Sequence, residues 1–164
     1  MTFGRKKMLG ASAGFDFQKG DDVAGVSTDR YLALSGGLFG DLPLAGAASP
    51  QGGDELAWMV EAYYYDGGKT FPNIVKQVDV NAELAYYNKA LGLGAFGRFE
   101  TRRVSDDVNK ALNTLQFGGG LRWYIRESFC HLTLAFNRDQ RPDAAPGAAK
   151  GTNQFVLQLQ TFYF

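Results

Sequence analysis

An alternation of apolar and polar residues with a period of two runs through most of this chain, and it limits the fold more than any other feature. It is plainest in the last stretch, "QFVLQLQTFYF" (154–164). There Phe155, Leu157, Leu159, Thr161 and Tyr163 share one parity, while Gln154, Gln158 and Gln160 fall on the other. A repeat of two belongs to a β-strand with two unlike faces. About eight segments carry it. They are residues 8–18, 31–44, 56–66, 77–87, 91–102, 115–125, 130–137 and 154–164. In the most regular, Val78, Val80, Ala82, Leu84 and Tyr86 oppose Gln77, Asp79, Asn81 and Glu83. No segment carries a helical period, so the expected fold is all-β, an antiparallel up-and-down sheet occupying residues 1–164 as one domain.

The connections predict which way the sheet is used. Residues 19–29, 67–76, 104–110 and 138–151 make long links, whereas 88–90 and 126–128 make short ones; 45–53 is long where the alternation calls for a short turn. Short turns on one rim and long loops on the other are the pattern of an outer-membrane β-barrel, and an even number of strands returns both termini to the short-turn rim.

Composition narrows the alternatives. Seventeen basic residues balance seventeen acidic ones, so no global field favours nucleic acid or an anionic membrane surface. Cys130 is the single cysteine, which excludes an internal disulfide and a thiolate metal cage and leaves its own role open. Twenty-one Gly, thirteen Phe and eight Tyr suit a twisted sheet with aromatic anchors. No stretch approaches the roughly 18 apolar residues of a membrane helix. The start, "MTFGRKKMLGASAGFDF", is basic but lacks an apolar core before Asp16 and Gln18, so strand one is expected to begin there rather than a signal peptide.

Alternation alone does not say which face is inside. A soluble barrel turns its apolar face inward, and a membrane barrel turns it to lipid. Two features favour lipid. The polar parity carries acid and base on neighbouring strands, Asp79, Asn81 and Glu83 beside Arg98, Glu100 and Arg102, as a hydrated wall does. Aromatics also gather near strand ends at 63–65, 86–87, 123–124 and 162–164, as interfacial girdles do. Leu84 and Leu132 are then expected to face hydrocarbon.

The order of the C-terminal motifs adds a resemblance. "QFGGGLRWYIRES", then "LTLAFNRD", a Pro/Ala/Gly-rich loop and "FVLQLQTFYF" resemble the phosphate-selective porin O and P family, as do "GLGAFGRFETRRVSD", with Arg98 and Glu100, and "YLALSGGLFGDLPL". The likeness runs from about residue 5 to the end, and its specificity lies in the order of short motifs. It implies the C-terminal half of an outer-membrane porin barrel of roughly sixteen strands. It implies passive diffusion of small hydrophilic solutes, anions such as phosphate among them, across a Gram-negative outer membrane. Lipid, a homotrimeric assembly and the barrel-assembly machinery, which reads the last strand, would be the partners. A complete eight-stranded barrel, serving as membrane anchor or small-ligand-binding protein, is the alternative. Phosphate specificity is not carried over, because Arg98, Arg102 and Arg122 mix with Glu61, Asp79 and Glu83 and form no basic ladder.

The expected pore-lining residues are Glu61, Asp79, Asn81, Glu83, Arg98, Glu100, Arg102, Arg122 and His131. The arginines are the expected contacts for a permeating solute, or else they pair with acids across strands. The string "GLGAFG" (92–97) fits a dinucleotide fingerprint but is followed by another strand run rather than a helix. With one histidine and no complete catalytic constellation, neither an enzyme, a metal site nor a cofactor is expected.

Overall fold

The computed structural model describes residues 2–19, 30–44, 51–68, 71, 73–126 and 130–161. Its strands are β1 (Met8–Lys19), β2 (Arg30–Pro43), β3 (Glu55–Asp66), β4 (Gln77–Asn88), β5 (Leu93–Val104), β6 (Thr114–Arg126), β7 (Cys130–Gln140) and β8 (Gly151–Thr161). They form one sheet in sequence order β1 to β8, each strand antiparallel to the next. The all-β, up-and-down expectation therefore holds. The sheet is open, however. No pairing joins β1 to β8 among the described residues, so a closed barrel is not what the structure contains.

Strand ends differ from the sequence reading where local chemistry decides them. β5 starts at Leu93 rather than 91, because Gly92 adopts a positive φ of 61° in a turn where Asn88 Oδ1 accepts from Leu91 N at 3.0 Å. The last strand starts at Gly151, paired with Gln140, and so lengthens both strands into the expected loop. Residues 162–164, with the terminal aromatics, lie outside the described residues. The link after β5 holds a short 3₁₀ helix (Asp107–Leu112), capped by Asp106, whose side chain accepts from Val108 N at 3.0 Å. Periodicity could not show so short a helix. A register shift between Tyr124 and Arg126 ends the regular pairing of β6 with β7.

The sheet curls toward its polar face. Within the strands, the buried side chains Asp41, Glu55, Ala85, Tyr87, Val104, Thr133, Ala135 and Asn137 all belong to the polar parity. The other parity is half-buried or exposed, with Leu84 at 53% and Leu134 at 55%. Curvature is tight enough for Arg98 on β5 to reach across β6, where Arg98 Nε donates to Asn137 Oδ1 on β7 at 3.0 Å. Gly118 on β6 makes this possible, since a Cβ there would collide with Asn137 Oδ1.

Candidate lumen face and rim cavity

The strand register places every expected pore-lining residue on the curled polar face. Asp79 opposes Tyr63 and Arg102; Asn81 opposes Glu61 and Glu100; Glu83 opposes Met59 and Arg98. Arg122 opposes Gly94 and Thr133, and His131 opposes Tyr124 and Gln160. The arginines then take different partners. Arg102 Nε lies 3.4 Å from Asp79 Oδ1, the cross-strand pair the sequence suggested. Arg98 turns from Glu83 to Asn137. Arg122 lies over the Phe96 ring at 5.0 Å and donates from Nη1 to Tyr124 Oη at 3.3 Å. Tyr63 donates to Glu61 at 3.1 Å and stacks on Tyr65 at 6.3 Å, while Gln77 donates to Asp79 at 3.1 Å. The face is thus a mixed, hydrogen-bonded polar wall rather than a positive ladder.

The opposite parity is made of different material. Its charged side chains are Lys19, Arg30, Asp66, Arg103 and Arg138, each within three residues of the strand end that meets the rim of the long loops. From there to the short-turn rim the described strands present only uncharged groups, chiefly Leu, Val, Phe and Ala. Trp58, Tyr86 and Trp123 collect near the short-turn end, and Tyr64 near the other. Strands of 11 to 14 residues match the 9–11 residues a tilted strand needs to cross hydrocarbon, with a margin at each end.

The sequence reading missed a structured plug at the short-turn rim. Glu55 is completely buried, and its carboxylate accepts from Thr2 N (2.9 Å), Thr2 Oγ1 (2.6 Å) and Gly4 N (2.7 Å). Phe3 is held between them in a left-handed conformation, φ 56°, and its ring meets Tyr87 and Tyr124 edge-on at 5.1 and 5.2 Å. Gly4 presses on the backbone of Gly53, where a Cβ would stand 2.5 Å from the Gly53 amide. No local pattern marks this arrangement, because its partners lie more than 50 residues apart. The same rim carries a latch. Asp54 accepts from Tyr86 Oη (2.8 Å), Lys89 N (2.9 Å) and Asn88 Nδ2 (3.2 Å). The Lys89 amide, and after it the Tyr86 hydroxyl, hold the Asp54 carboxyl below its ordinary pKa.

Beside Phe3 the polar face forms a half-open cavity of about 410 Å³, lined among others by Met8 of β1, Glu83 of β4, Arg122 of β6, His131 of β7 and Gln160 of β8. First and last strands therefore face the same space. The described residues contain no cluster of three or more His, Cys, Asp or Glu able to hold a metal ion. No helix among them is long and apolar enough to cross a membrane, which says nothing of a β-barrel. Comparison with family models, curated proteins and solved structures yields no match.

Proposed function

We propose that this chain forms the wall of a transmembrane β-barrel in a Gram-negative outer membrane. Its polar face would line a hydrated interior that passes small hydrophilic solutes by passive diffusion. The supporting observation is the inverted sheet. Polar and charged side chains occupy the curled, more buried face, and an uncharged apolar band is exposed on the other. In water that band costs free energy over its whole area. In hydrocarbon it is the stable arrangement, and the charges at the long-loop rim then reach the headgroups. The backbone edges of β1 and β8 must be paired in lipid, with each other or with further strands, because hydrocarbon offers no hydrogen-bond partner. The resemblance to the porin O and P family carries the solute-channel part of this reading, and the mixed wall favours weak charge selectivity over a phosphate filter.

Flotation with lipid vesicles, followed by conductance across a planar bilayer, tests both parts. The expected outcome is co-migration with vesicles and an ohmic, salt-dependent conductance. A chain that remains monomeric in buffer without detergent overturns the membrane reading. A chain that inserts without conducting supports a second reading, a small barrel that binds a ligand. The cavity shared by the first and last strands favours that reading, since a barrel of about eight strands holds side chains or one small ligand.

A further inference from the structure

We propose that the rim cavity binds a small zwitterion with an apolar body, such as an α-amino acid with a hydrocarbon side chain. Glu83 lines the cavity, and its carboxylate has no hydrogen bond or ion pair among the described residues, because Arg98, its register partner, is turned to Asn137. On the β6–β7 side, Arg122 lines the same cavity and donates to Tyr124 from Nη1 alone of its guanidinium nitrogens. Positive and negative groups thus stand on different strands of one cavity, and Phe3, Met59 and Ala85 contribute its apolar wall.

A lone anion would satisfy Arg122 and be repelled by Glu83, and a lone cation would meet the reverse. A molecule carrying both charges satisfies each side. Its carboxylate would accept from the Arg122 guanidinium, while its ammonium would donate to Glu83. A hydrocarbon side chain would cover Phe3 and Met59. The volume lies within the range of small-molecule pockets. The site requires only that the polar face be the inner one.

Trp58, paired with Leu84 and lying against Gly40, stands on the outward parity with Trp123, so neither indole reports on the inner face. Isothermal titration calorimetry of the chain in detergent therefore reads binding directly. Titration with L-leucine should give a saturable change. Isovalerate, which lacks the ammonium, and isoamylamine, which lacks the carboxylate, should each bind roughly 10- to 100-fold more weakly, the loss expected for one charged hydrogen-bond partner. Glu83→Gln and Arg122→Gln should weaken leucine binding by a similar factor. The analogue series on the unaltered site keeps the test decisive if either variant fails to fold. Isovalerate binding as tightly as leucine, or no saturable binding at all, overturns the proposal. A chain that is soluble without detergent yet binds leucine keeps this site and sinks the membrane reading; one that enters vesicles and binds no leucine does the opposite.

Discussion

The two faces of the sheet are built from alternate residues of the same strands, yet they follow opposite rules. On the outward face, side chains such as Leu84, Leu121 and Leu134 are exposed, and none between the rims carries a charge. On the curled face, Asn137 is 2% exposed and Glu55 fully buried, and each is hydrogen-bonded. A soluble β-sandwich inverts this assignment by placing the apolar parity in the core. The difference teaches that solvent identity, rather than the strand pattern, decides which face may be buried. Where lipid surrounds the sheet, the interior is the place that needs polar partners.

Reversing the chemistry of one position on each face should break this contrast most sharply. Leu84→Arg or Leu134→Arg should destabilise the chain in lipid by about 2–4 kcal/mol, the cost of a cation at the bilayer midplane. Asp79→Arg, on the curled face, should fold almost normally. Unfolding by denaturant in vesicles measures both, and equal damage would show the faces to be wrongly assigned.

A second test probes how far the curled face depends on its partners. Glu55→Ala leaves the Thr2 and Gly4 amides without their acceptor and should cost roughly 1–3 kcal/mol. It should also free residues 2–7 for proteolysis. If the plug remains protected, the Tyr87–Tyr124 contacts of Phe3 alone are enough to seat it.

The charges of the curled face give a smaller effect, read in selectivity rather than stability. Replacing Arg98, Arg102 and Arg122 by Gln should shift the reversal potential of a conducting assembly toward cation preference. The shift should be greatest at low salt, where screening over about 10 Å is weakest. An unchanged reversal potential would place these arginines off the conduction path.

The smallest expected effect concerns the exposed latch. Because the Asp54 pKa is lowered in the folded chain, its contribution is fully present above the ordinary value of 3.8. It disappears as pH falls through the folded pKa. Acid below that value should therefore loosen residues 51–54 from the 88–91 turn while the strands persist, as amide exchange would record. Asp54→Asn should remove most of this pH dependence. Exchange that is insensitive to acid would mean that Lys89 Nζ, which donates to Gln51 O at 2.6 Å, holds the latch alone.

The number of strands, their order and the two unlike faces were legible in the sequence, because a period of two is a local property that each strand states for itself. Val78 to Tyr86 against Gln77 to Glu83 needed no distant information. The grouping of Glu61, Asp79, Glu83, Arg98, Arg102 and Arg122 on one face followed from parity for the same reason. Tertiary structure alone decided that the sheet curls toward the polar side and stays open, that Arg98 prefers Asn137 two strands away to Glu83 beside it, and that Phe3 and Glu55 form a plug. Each of these depends on how strands distant in sequence are stacked and on the space a residue such as Gly118 leaves between them, and no local repeat encodes that.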